Sequence, residues 1–208
     1  MLFLMDTIIY TLIVVIIIIY TFKAFNNYKP YKESILPIIF PNYMEFFWRT
    51  VIRKDASTSS FLQKQIGVHK LSFTTIKDTS HNITSRFVLL FSHKGITLIE
   101  YIDETGKYYG NEKDRYWRIK KEKRTIKIAN PIHELKKYQK RIEQILPNVT
   151  ISSIIAITNK GKLTNISTKE IICFYDQLLD HLQMIQSTQI FTEDGVLDLF
   201  SNYLKNKK

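Results

Sequence analysis

The sequence predicts an α/β domain, a sheet of mixed strand direction with helices on its faces, preceded by one transmembrane helix. Three observations predict it. Residues Thr7 to Phe22 carry no charge. Apolar runs of strand length recur between residues 68 and 174, with a strongly patterned helix among them. Their order is strands, hairpin, helix, strand, strand, helix, which suits one mixed sheet covered by helices. A chain of 208 residues is long enough for one such domain with a modest core.

The first element is TIIYTLIVVIIIIYTF, Thr7 to Phe22. Extended back to Leu2, it is broken only by Asp6. About 20 residues cross a bilayer as a helix, so the run fits with its flanks. Tyr20 and Phe22 suit the membrane interface. A cleaved signal peptide would carry basic residues before the apolar run and small ones after it. Here Asp6 precedes, and Lys23, Lys29 and Lys32 follow. The positive-inside rule then makes residues 1–24 a single-pass anchor with the remainder cytoplasmic.

Residues 25–65 form a juxtamembrane segment. Pro30, Pro37 and Pro41 argue against a continuous helix from Phe25 to Pro41. In Tyr43 to Lys54, Met44, Phe47 and Val51, with Trp48 and Ile52, stand at helical spacing. That predicts an amphipathic helix, packed on the domain or lying on the membrane. Asp55 to Ser60, DASTSS, is a loop or a helix cap.

The domain proper is expected at 66–186. Val68 to Ile76 alternates as a strand. Ser85 to Phe91 is continuously apolar after its first residues, as in a strand buried on both faces. Gly95 to Tyr101 pairs with it through the short SHKG turn. A turn is expected at Gly106…Gly110, and Tyr116 to Ala129 reads as a basic hairpin turning near Glu122 and Lys123. The clearest helix is NPIHELKKYQKRIEQILP. Asn130 can cap it, and Pro131 sits where a missing N–H costs nothing. Ile132, Leu135, Ile142 and Ile145 share one face. Strands follow at Val149 to Thr158 and Glu170 to Phe174, then a helix at Tyr175 to Gln186. A terminal amphipathic helix occupies most of 187–208.

Charge narrows the choice of partner. The net charge is +11 and the pI about 9.6, which favours nucleic acid or an acidic membrane face. Between Lys107 and Arg141 stand thirteen Lys or Arg against four Asp or Glu, which places nine of the eleven excess charges within thirty-five residues. Tyr108, Tyr109, Tyr116 and Trp117 are interleaved, as base stacking would use them. Lys113, Arg115, Arg118, Lys120, Lys121, Lys123 and Arg124 are the candidate phosphate contacts. Anionic lipid of the inner leaflet is the alternative partner.

Other chemistries find little support. The single cysteine, Cys173, excludes an intramolecular disulfide, and its apolar neighbours make it a core residue. His69, His81, His93, His133 and His181 include no i, i+4 pair, so spacing defines no metal site. Neither a glycine-rich phosphate loop nor a nucleophile elbow is present.

The order KGITLIE, GKYYG, Trp117 and NPIHE resembles the nuclease-related domain family of the restriction-endonuclease-like fold, over roughly residues 66 to 186. The resemblance implies a mixed sheet flanked by helices and a metal-dependent nuclease ancestry. It also implies an Asp on a buried strand and a Lys two residues after the strand Glu, which is Glu100 here. In this chain Ile102 replaces that Lys, the Asp position falls at or near Phe87, and the Gln of the helix-start motif is Glu134.

Phosphodiester hydrolysis uses a hard cation held by two or more carboxylates, and an oriented water. Residues two apart on a strand share a face, so Ile102 sets an alkyl group beside Glu100. Glu134 is a candidate second carboxylate, and Lys94 or Lys107 a candidate replacement cation. Three readings stay open. One is a catalytically degenerate nucleic-acid-binding or scaffold module. Another is a nuclease with a relocated lysine, using Glu100 as metal ligand with Mg²⁺ or Mn²⁺. The third is a membrane-bound protein of unspecified protein partners and no nucleic-acid role. No cofactor is expected outside the nuclease reading.

Overall fold

Phe87, Val88, Leu89, Leu90 and Phe91 are all buried, so the strand that carries them is covered on both faces. The computed structural model describes residues 2–78, 83–187 and 189–207. Along the chain the elements are α1 (Leu2–Lys32), α2 (Leu36–Ile39), α3 (Tyr43–Phe47), a π-helical turn (Trp48–Ile52) and α4 (Ser60–Ile66). Then come β1 (His69–Asp78), β2 (Ile83–Ser92), β3 (Gly95–Ile102), β4 (Gly106–Asn111), β5 (Tyr116–Lys120) and β6 (Thr125–Ala129). The rest are α5 (Pro131–Ile145), β7 (Ile151–Ile157), β8 (Gly161–Ser167), β9 (Ile171–Phe174), a 3-10 turn (Tyr175–Gln177), α6 (Leu178–Met184) and α7 (Glu193–Asn206).

The fold is mixed α/β, with two sheets rather than the single one expected. The first has the order β1-β2-β3-β7-β9. Its first three strands are antiparallel, and β7 and β9 add in parallel. One face packs Phe87, Leu89, Phe91, Leu98 and Ile155 against α5, α7 and the second sheet. The other packs Val88, Leu90, Ile99 and Ile154 against Tyr31, Ile39, Phe40, Leu62 and Leu178 from the N-terminal helices and α6. This double cover is what the continuous apolar run encodes. The terminal helix α7 belongs to the core, because Val196, Leu199 and Tyr203 are buried in it.

The second sheet has the order β6-β5-β4-β8. Its core strand, β4, lies where a turn was expected. Gly110 read as a turn residue, yet it is glycine because the chain passes Trp117 closely. A Cβ there would lie 2.4 Å from the indole Cδ1. The strand β8 was not foreseen at all. Its apolar residues, Leu163 and Ile166, do not alternate, because a bulge pairs Tyr108 with Leu163 but Tyr109 with Asn165.

The N-terminal region also departs from expectation. α1 runs through Pro30 to Lys32. Pro30 stands two residues from the end, so the lost bond ends the helix without preventing it. Pro37 lies in the first turn of α2, where it is tolerated. The helix expected at Tyr43 to Lys54 is split between α3 and the π-helical turn. Its buried pair is Phe46 and Phe47, while Met44 faces solvent. Ser59, inside the expected cap region, does cap α4 through Leu62 N–H.

Asn130 ties the second sheet to α5. Its side-chain oxygen accepts from Ile132 N–H at 3.0 Å. Its amide donates to the carbonyls of Asn111 (3.1 Å), Glu112 (3.3 Å) and Asp114 (2.6 Å) in the turn after β4. One buried side chain thus caps the helix and closes the turn. Asn130→Ala is expected to cost about 2–4 kcal/mol, summing a lost cap and buried carbonyls left unpaired. Chemical denaturation measures it.

Candidate catalytic position and basic sheet face

β3 carries Glu100 at the centre of the first sheet, paired with Phe87 on β2 and Ile155 on β7. Its side chain shares a face with Leu98 and Ile102 and is only 4% exposed. Ser85 gives it a hydrogen bond, and its Oε2 has no partner. Burial, reinforced by the charge of Glu134, pushes its carboxyl well above the usual range, and the Ser85 bond opposes this only in part. Phe87 is fully buried, its ring centroid 4.8 Å from that of Tyr138. A cavity of about 250 Å³ beside Glu100 is lined by Ser85, Ile102, Ile126 and Ile128, and also by the charged residues Arg86, Glu104 and Lys127.

These residues do not fit a divalent-cation cage. Mg²⁺ requires near-octahedral oxygen ligands. Among the described residues, no group of three or more His, Cys, Asp or Glu converges where it could hold a metal ion. Phe87 opposite Glu100 and Ile102 two residues beyond it on the same face present carbon to the carboxyl. Neither candidate replacement cation reaches the position. Lys94 precedes β3, about 20 Å along the strand from Glu100 by strand rise, and its Nζ donates to Gln183 O at 2.7 Å. Lys107 lies on the outer face of the second sheet. Asp103 belongs to the opposite face of the first sheet, where Arg86 and Tyr175 each bond it at 2.5 Å. Glu134 stands in the first turn of α5 and acts on Glu100 through its charge.

The remaining titratable candidates are structural. His69 is buried; its Nε2 accepts from Ser59 N–H at 3.1 Å, and its Nδ1 lies 3.0 Å from Gly67 O. Burial, first of all, lowers its pKa, in keeping with a neutral ring. Cys173 is buried, and its thiol is pushed up to about 11, mainly by that burial. His81 lies outside the described residues.

The basic residues distribute over three places. Lys113 and Arg115 flank the turn between β4 and β5, with Arg115 over the Tyr116 ring. Lys121, Lys123 and Arg124 lie at the far end of β5, in the hairpin turn. Lys121 is held by Glu104 at 2.5 Å. Arg118 and Lys120 lie between these ends, on the solvent face of β5, because Trp117 and Ile119 point inward. Trp117 and Tyr108 are fully buried, so neither is available for stacking. Tyr109 and Tyr116 retain partial exposure.

Sheet register adds what spacing could not. Lys162 on β8 pairs with Lys107 on β4, which pairs with Lys120 on β5. The next row outward aligns Tyr109, Arg118 and Lys127 across β4, β5 and β6. All five cations are exposed. Lys107 and Lys120 also line a cleft of about 770 Å³ together with Lys121, Lys123 and Arg124. Like charges directly opposite one another on a sheet repel. Lys162 was missed because β8 was not foreseen.

The family model of the nuclease-related domain matches residues 51–158, just over half of the 208 residues, and includes Glu100, the hairpin and Asn130. The chain belongs to the nuclease-related domain family. No match was found among curated proteins or among solved structures.

Proposed function

We propose that this chain is a membrane-anchored, catalytically degenerate family member, which holds single-stranded nucleic acid against the outer face of its second sheet on the cytoplasmic side. The observation that carries the reading is the cross-strand row Lys162, Lys107, Lys120, with Tyr109, Arg118 and Lys127 beside it. A phosphate backbone relieves such repulsion, and a half-exposed tyrosine beside it offers a base a stacking surface. Loss of catalysis is supported by Phe87 and Ile102 flanking a dehydrated Glu100. Anchoring is supported by the helix Thr7–Lys32, whose uncharged run from Thr7 to Phe22 is exposed along its whole length. The lysines after the apolar run support the orientation.

One observation favours the nuclease alternative. Glu134 is near enough to raise the Glu100 pKa, and a divalent cation relieves that kind of carboxylate repulsion.

The test uses the full chain in detergent with fluorescently labelled single-stranded DNA and RNA. Anisotropy that rises with protein and collapses with salt supports binding. An unchanged anisotropy at low salt contradicts it.

A further inference from the structure

We propose that α3 and the π-helical turn after it form a foot lying in the membrane interface beside α1, with Met44 and Trp48 seated among lipid headgroups. The proposal rests on the reading of α1 as a span and says where the domain sits relative to the bilayer.

The position follows from one contact. The Tyr43 hydroxyl donates to the carbonyl of Ala24. Ala24 is two residues beyond Phe22, where the uncharged run ends, and helical rise makes that about 3 Å. The Tyr43 ring also meets Tyr28 and Tyr31, each at 5.0 Å between centroids. The Tyr43 hydroxyl is therefore pinned where α1 leaves its apolar stretch, with its ring against the next two turns of that helix.

The chemistry at that level is interfacial. Phe46 and Phe47 turn into the core, while Met44 is 66% and Trp48 54% exposed, four residues apart. On α1, Phe22 and Phe25 flank Ala24 in sequence and are exposed, Phe25 by 81%. Large exposed apolar side chains are costly in water and at home between headgroups and acyl chains. Tryptophan in particular favours that depth. Arg53 lies over the Trp48 ring at 6.0 Å, and Lys23 over Tyr20 at 5.5 Å, which sets cations at the height of lipid phosphates. The nearby acid is neutralised: Glu45 takes Arg49 at 2.9 Å and Ser60 N–H at 2.7 Å. Exposed aromatics, flanking cations and continuity with the span favour lipid over a protein partner.

The experiment places the full chain in vesicles of phosphatidylcholine and phosphatidylglycerol carrying nitroxide labels at shallow or deep positions. Trp117 is fully buried, so the difference between the wild type and W48F isolates Trp48. The expected result is blue-shifted Trp48 emission, quenched more by shallow than by deep labels, protected from aqueous iodide, and lost in W48F. Trp48 emission quenched by iodide and untouched by lipid labels, in chain that still floats with the vesicles after carbonate washing, overturns the foot and leaves the anchor standing. Chain that fails to float overturns both.

Discussion

Reversing three charges on the outer face of the second sheet, Lys107→Glu, Arg118→Glu and Lys120→Glu, is expected to weaken single-strand binding on the order of 10²-fold. Each lost phosphate contact counts for roughly 1 kcal/mol, and 1.4 kcal/mol is tenfold in affinity. The salt dependence should flatten by about 2 in its logarithmic slope, because three fewer counterions are released from a single strand. Stability separates this from unfolding. Lys120 faces Lys107 across the ladder, and Arg118 faces Lys127. Removing like-charge pairs relieves repulsion, so Lys120→Glu alone should lose affinity while its melting temperature holds or rises. Anisotropy titrations and thermal melts on the same preparations measure both quantities. Affinity unchanged by the triple reversal would remove the sheet face from the account.

Glu100→Gln is expected to stabilise the protein at neutral pH by about 1–3 kcal/mol, because each pH unit above the unfolded pKa at which the folded carboxyl stays protonated costs the wild type about 1.4 kcal/mol. The pH dependence carries the diagnosis. The folded carboxyl titrates well above 4.5, its ordinary value, because it is buried and faces the charge of Glu134. The folded state therefore holds a proton that the unfolded chain releases as pH rises past about 4.5. Wild-type stability from this group is fully present below that value and is lost as pH climbs toward the folded pKa. The glutamine does not titrate. The two proteins should match in acid, and the variant should gain steadily above about pH 4.5. Denaturation at a series of pH values reads the gap. A variant less stable at neutral pH, or a wild type stabilised by Mn²⁺ where the variant is not, would mean that the carboxylate holds a cation.

Much of the fold was legible because apolar period and capping chemistry are local. Phe87 to Phe91 announced a doubly covered strand, and Asn130-Pro131 announced the start of α5. The second sheet was half hidden for equally physical reasons. Gly110 looks like a turn residue, but the close passage of Trp117 requires it. In β8 a bulge breaks the alternation that would reveal a strand. The candidate site followed the same division. Ile102 beside Glu100 could be read two residues away on one strand, whereas Phe87 opposite it needed the register of two strands. Clustering of Lys and Arg was plain in the sequence. That Lys162 joins Lys107 and Lys120 in one row, and that Trp117 is walled in, depends on pairings made at long range.

Incubating the full chain with an end-labelled single strand and Mg²⁺ or Mn²⁺, then resolving bound fraction and strand length together, tests the central claim most directly. The account predicts a retained strand of unchanged length, the same for the wild type and Glu100→Gln. Shortened products that depend on the metal and vanish in Glu100→Gln would contradict it.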